Sequence, residues 1–183
     1  MLYALVDGLR SAHAFEGGGE IVSGLLGGAA SLWPAARRRL PARPSAYTRT
    51  CVYRDARFEV LLLNWAPGSI SAIHDHGGQL CWMTVLEGCL EVEDYVRLDS
   101  GETPGYAHIE PRESRKLLRS EIDSRAGQFD LHRVGASLGA PAISLHVYSG
   151  PLQQFLVYDE LSRRCETAIG TYDEILSLDA VAS

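Results

Sequence analysis

The sequence has no excess of positive charge: 17 Lys and Arg stand against 23 Asp and Glu, for a net charge of −6. That balance excludes nucleic-acid binding driven by phosphate attraction, and a small neutral or zwitterionic partner is easier to reconcile with it. Cysteine is scarce and scattered. Cys51, Cys81, Cys89 and Cys165 show no CxxC spacing, which argues against a zinc ribbon or a thioredoxin-like pair and is simplest as reduced thiols in a cytosol. Long hydrophobic runs are also missing. The opening stretch MLYALVDGLRSAHAF lacks a basic start and carries Asp7 and Arg10 among its apolar residues, so it makes a poor signal peptide and is too short to span a bilayer. There is no internal repeat or low-complexity tract. The expectation is a cytoplasmic, non-membrane protein that binds no nucleic acid and needs no obligatory protein partner.

With 183 residues, 46% of them apolar, the chain can bury a core without disulfide staples. Leu2, Ala4, Leu5, Val6 and Leu9 recur with a helical period, and Ile21, Leu25 and Leu26 suggest another short helix after the glycines at 17 to 19. From Trp33 to Pro44 three prolines surround Arg37-Arg38-Arg39, which predicts a connector with a solvated basic surface. From Tyr47 onward, runs rich in Val, Leu, Tyr and Phe are broken by PG, GG, EG and SG. They predict strands over 47–53, 57–65, 70–76, 80–86, 89–97, 128–134 and 142–149. Pro111 to Leu118 reads as a polar loop or an exposed strand, and helix returns around Tyr172 to Leu178. The organisation expected is a helical cap and linker over 1–46 and an all-β barrel or sandwich with a C-terminal extension over 47–183, one structural domain overall.

One stretch carries chemistry: PGSISAIHDHGGQLCWMTVLEG, residues 67 to 88. On a strand, side chains two apart share a face, so His74 and His76 stand roughly 6 to 7 Å apart along the chain and can reach one ion. Asp75 then points away, toward solvent or a supporting partner. The pair alone would also suit a solvated strand face. His132, inside QFDLHRV, offers a third imidazole; such a set suits zinc, copper, iron or nickel and leaves coordination positions open for substrate. His13 and His108 read as solvent-facing. Ser144, His146 and Tyr148 form a second row with a period of two, polar and inward on an otherwise apolar strand. The Gly77-Gly78 turn predicts a hairpin that folds Cys81 back beside the strand bearing the histidines.

The spacing from Gly68 through His74, His76 and Cys81 to Gly88 resembles the first cupin motif, with cysteine where cupins carry glutamate. That departure makes the chain similar to the cysteine dioxygenase family of thiol dioxygenases. Further matching motifs run from YTRTCVY at 47 through FDLHRV to SLHVYSGP at 144. The resemblance implies a mainly β fold, a cupin-type antiparallel β-barrel of jelly-roll kind, holding one mononuclear non-haem Fe(II) on His74, His76 and His132. It implies that Tyr47 and Arg49 receive the substrate carboxylate, that Ser144 and His146 orient the Tyr148 hydroxyl, and that Cys81 and Tyr148 can form a thioether. After the tyrosine, animal members read Ser-Pro-Pro where this chain has Ser149-Gly150-Pro151, so the geometry of that loop does not carry over.

The activity implied is oxidation of L-cysteine by O2 to cysteine sulfinic acid, a step in cysteine catabolism. A planar guanidinium at Arg49 would select a carboxylate-bearing thiol through paired hydrogen bonds. Two other readings stay open at this point: a dioxygenase for 3-mercaptopropionate or cysteamine, and a non-enzymatic metal-binding cupin that acts as a sensor or structural module.

Overall fold

The computed structural model describes residues 1–11, 15, 19–36, 47–126 and 130–176. Two helices, α1 (Leu2–Ser11) and α2 (Glu20–Ala36), precede the strands. These are β1 (Thr48–Arg54), β2 (Glu59–Trp65), β3 (Ile73–His74), β4 (Cys81–Glu87), β5 (Cys89–Arg97) and β6 (Ile109–Leu118), followed by β7 (Ile122–Arg125), β8 (Leu131–Ala136), β9 (Ala142–Tyr148), β10 (Gln154–Asp159), β11 (Arg164–Ile169) and β12 (Glu174–Ile175). They form two six-stranded sheets, ordered β12-β1-β2-β9-β4-β7 and β11-β10-β3-β8-β5-β6. The β1/β12 pair is parallel; the pairs that build the barrel are antiparallel. This is the cupin-type arrangement expected, capped by N-terminal helices.

Strand burial shows why the sequence reads as it does. Leu61, Leu63 and Trp65 of β2 pack inward with Met83 and Val85 of β4 and with Leu90, Val92 and Val134 of the opposite sheet. Val60 and Leu62 face outward, against Leu5, Val6 and Leu9 of α1 and Val22, Leu26 and Trp33 of α2. Helices thus cover the outer face of the first sheet, so β2 and β9 are buried at every position and need continuous apolar runs. The second sheet has exposed outward positions, and β5 accordingly alternates.

The helix beginning near Ile21 is longer than a short turn and continues to Ala36, into the stretch expected as a connector; the basic run, Pro41, Pro44 and His13 lie outside the described residues. Pro111 to Leu118 belongs to an exposed strand, β6. The helix expected around Tyr172 to Leu178 is corrected: Glu174–Ile175 is strand, laid parallel on β1, while 177 and 178 lie outside the described residues. Long-range backbone pairing overrides the local pattern there. The hairpin through Gly77-Gly78 is also corrected. β3 bonds to β8 and β10, whereas β4 bonds to β7 and β9, so the turn carries the chain from one sheet to the other. Among the described residues, no helix is long and apolar enough to cross a membrane.

Candidate functional site

His74 and His132 stand opposite each other where β3 pairs with β8. The strand expected over 70–76 is regular only at Ile73–His74, and His76 lies just beyond it, in the turn. Asp75 fixes that turn. Its Oδ1 accepts the N–H groups of Gly77 at 3.0 Å and Leu156 at 2.9 Å, and its Oδ2 accepts the Tyr158 hydroxyl at 2.8 Å. Gly77 has φ +57°, and a Cβ there would lie 2.2 Å from the Gln154 carbonyl oxygen, so only glycine lets the turn close against β10. Asp75 therefore faces a buried anchor and not solvent.

The three imidazoles converge. Their ring centroids are 5.2 Å (His74–His76), 4.7 Å (His74–His132) and 4.9 Å (His76–His132) apart. One nitrogen from each lies within 4.8 Å of the others. Burial pushes the pKa of all three down and favours the neutral rings; neighbouring cations and histidines add to this at His76 and His132, while at His74 the Ala72 carbonyl and Asp75 work against it. His74 Nδ1 is 2.9 Å from the Ala72 carbonyl oxygen; a carbonyl can only accept, which places the proton on Nδ1 and leaves Nε2 a lone pair. His76 Nδ1 and His132 Nδ1 are buried without hydrogen-bond partners. Imidazoles that each turn one nitrogen toward the other two fit a transition-metal ion accepting one lone pair from each ring.

A second polar line runs along β9. Trp65 Nε1–H donates to Ser144 Oγ at 2.8 Å, Ser144 Oγ lies 2.8 Å from His146 Nε2, and His146 Nδ1 lies 3.4 Å from the Tyr148 hydroxyl. An indole can only donate, so Ser144 Oγ accepts from Trp65, and with a second lone pair and its own proton it can serve either tautomer of His146 at Nε2. His146 is neutral, its pKa pushed down to about 3 by burial and then by Arg49 and His74. Its single proton sits on one ring nitrogen, so the line runs from Ser144 through the imidazole to the Tyr148 hydroxyl in a direction set by the His146 tautomer. Burial raises the Tyr148 pKa well above its ordinary value, and the ring keeps its proton. Cys81 pairs directly with Tyr148 between β4 and β9, and the two side chains are in hydrogen-bonding reach. Burial raises the thiol's pKa as well, so Cys81 keeps its proton beside the Tyr148 ring.

These elements meet at a cavity of about 330 Å3 lined by Tyr47, Arg49, His74, His132, His146 and Tyr148, with Leu63, Val134, Leu152 and Phe155 as apolar wall. His76 is buried and is not part of this lining. Arg49 is half-buried with its Nε unpartnered, and the partly exposed Tyr47 packs its ring 4.8 Å from Trp65. The structure thus brings together all nine residues singled out in the sequence. His108 is partly exposed, 3.6 Å from Glu110. Trp65, bonded to Ser144, was not among the residues expected at the site, and Asp75 takes the supporting partner expected of it in place of solvent. Trp65 had a signal, since it continues the inward row of Leu61 and Leu63, while the Asp75 anchor depends on β10, a strand not foreseen.

Residues 37–161 match the family model described as cysteine dioxygenase type I. Cysteine dioxygenase type 1 of Danio rerio is 30% identical over 128 residues, which cover 69% of this chain and 62% of that protein. The Homo sapiens protein of the same name is 29% identical over 116 residues, covering 62% of this chain and 56% of its own. The matched region is thus less than two thirds of the length of these relatives. Among solved structures, a Bacillus halodurans protein aligns with TM-score 0.49 and 16% identity over 82% of this chain and 89% of its own.

Proposed function

Because the chain belongs to the cysteine dioxygenase type I family, we propose that it converts L-cysteine and O2 to cysteine sulfinic acid with one ferrous ion held by His74, His76 and His132. The observation that carries this reading is the convergence of three neutral imidazoles beside a cavity that also receives Arg49. Both oxygen atoms of O2 are added to the thiol sulfur, so RSH and O2 give RSO2H and the atoms balance. A ferrous ion held by His74, His76 and His132 would keep its full double charge and so favour the thiolate form of the substrate.

The chain's own residues bind and orient. Arg49 takes the substrate carboxylate through paired hydrogen bonds, with the Tyr47 hydroxyl beside it, so the sulfur is held toward the histidines. Tyr148 lines the cavity and keeps its proton, so its hydroxyl is placed to hydrogen-bond to substrate or dioxygen. The apolar wall limits water around the reacting sulfur. Cys81 forms a thioether to the Tyr148 ring during turnover: sulfur and ring each lose one hydrogen, and the two electrons and two protons pass to dioxygen to give hydrogen peroxide. The test is oxygen uptake by the iron-loaded chain on a panel of cysteine, 3-mercaptopropionate and cysteamine. Cysteine should show the highest kcat/KM and yield the sulfinate; a higher value for either other thiol overturns the substrate assignment, and no uptake with any thiol overturns the activity.

A further inference from the structure

The family match ends at residue 161, yet Thr171 lines the same cavity as Tyr47, Arg49 and Tyr148. Just beyond it, Asp173 grips Arg49 from the edge of the sheet. Arg49 pairs with Leu63 of β2, and its own backbone N–H and C=O are both taken by Asp173. The Asp173 carboxylate accepts the Arg49 N–H at 2.7 Å, and the Asp173 N–H donates to the Arg49 carbonyl at 2.9 Å. The segment is held on either side of this clamp. Upstream, the Gly170 N–H donates to the Gln153 carbonyl at 2.9 Å and the Tyr172 hydroxyl donates to the buried Glu59. Downstream, β12 pairs Thr50 with Glu174 and Cys51 with Ile175, and the Leu176 N–H donates to the Cys51 carbonyl at 2.8 Å.

Arg49 is the second residue of β1, where a strand frays if its outward backbone groups bond only to water. A carboxylate accepting that N–H makes a charge-assisted bond, stronger than a neutral one. Together with the return bond it fixes the backbone of Arg49, and so the direction in which the guanidinium enters the cavity. A paired contact with a carboxylate is sensitive to that direction because the fork is planar. We propose that Asp173 is a positioning residue, which sets the preference for carboxylate-bearing thiols by orienting Arg49 through its backbone. The proposal rests on the reading of Arg49 as the carboxylate partner.

The experiment compares the iron-loaded full chain with Asp173→Ala, Asp173→Asn, Arg49→Ala and the double variant Arg49→Ala/Asp173→Ala. Steady-state oxygen uptake is measured with cysteine and with the carboxylate-free thiol cysteamine, using an inhibition constant where turnover is absent. Asp173→Ala should raise KM for cysteine about fivefold, the size of one hydrogen bond, with kcat and the cysteamine constant unchanged. Asp173→Asn keeps a neutral acceptor for the Arg49 N–H and should raise it only about twofold. The double variant should match Arg49→Ala alone, since the two residues act through one contact. An unchanged cysteine KM in Asp173→Ala, equal shifts for both thiols, or an additive double variant overturns the proposal while leaving the Arg49 reading intact. An unchanged cysteine KM in Arg49→Ala removes that reading, and this proposal with it.

Discussion

Two clusters of titratable side chains share the barrel interior and answer the cost of burial in opposite ways. Around His74, His76 and His132 the groups are neutral, and two ring nitrogens have no hydrogen-bond partner. Across β5 and β4 from them, Asp94 stands opposite His132 and Arg125 opposite Cys81. Arg125 grips Asp123 with two bonds of 2.7 and 3.0 Å and reaches Asp130 at 3.0 Å; it also bonds Asp94, while Arg115 bridges Asp94 and Asp123. In the second cluster every charge has its counterpart within the protein, so it holds β5, β6 and β7 together and needs nothing more. In the histidine set Nδ1 of His74 bonds to the Ala72 carbonyl, Nδ1 of His76 and of His132 have no protein partner, and one nitrogen of each ring faces the other two. A buried polar group without a partner costs free energy in any fold, and here that cost is concentrated beside the cavity.

The comparison predicts that damage to the first cluster removes chemistry and damage to the second removes stability. His132→Ala should leave a folded protein with little bound iron and sulfinate production lower by more than about a hundredfold; iron content and product analysis check this. Full iron and activity in that variant would remove the third ligand. Arg125→Met leaves Asp123 and Asp94 with Arg115 alone and should lower unfolding free energy by about 3 to 5 kcal/mol, read from urea denaturation. If the histidine variant lost as much stability as the arginine variant, the contrast would fail.

Smaller effects sharpen the same contrast. Arg49→Ala should cost about 1.5 to 3 kcal/mol in kcat/KM for cysteine and narrow its advantage over cysteamine, with Arg49→Lys recovering part of the loss. The buried neutral histidines also set a pH dependence. His146 titrates near 3 in the folded chain and close to 6.5 when unfolded, so between those values the unfolded chain binds more protons. Stability is therefore fully present above about pH 6.5 and is lost as pH falls toward 3. The lowered values of His74, His76 and His132 act in the same direction in the metal-free chain. The urea midpoint of the metal-free protein should drop between about pH 7 and pH 5, and a flat profile would contradict the buried neutral state. The smallest effect is that of Cys81→Ser: turnover slows but survives, and the mass loss of about 2 Da expected for a thioether is absent.

Much of this site was legible because strands impose a period of two. Ser144 with His146 and Tyr148 declare their shared face by spacing alone, and the apolar runs of β2 and β9 mark strands buried on both sides; His74 and His76 do converge, but through the turn after β3 and not through a regular strand. What escaped depends on partners distant in the sequence. β10 and β11 carry mixed exposed residues without clean alternation, so neither they nor the Asp75 anchor on Leu156 and Tyr158 could be foreseen. The change of sheet at Gly77-Gly78 looks locally like a hairpin. Tyr172 to Leu176 has no strand signal of its own and is extended because Glu59, Arg49 and Cys51 hold it there.

The most direct test of the account supplies the iron-loaded chain with L-cysteine and dioxygen labelled in both atoms with the heavy oxygen isotope. The account predicts one cysteine sulfinate per dioxygen consumed, both labelled atoms on its sulfur, and no product from His132→Ala. A folded protein that holds iron on these histidines yet consumes no oxygen with cysteine, or a product whose oxygen comes from water, would contradict it.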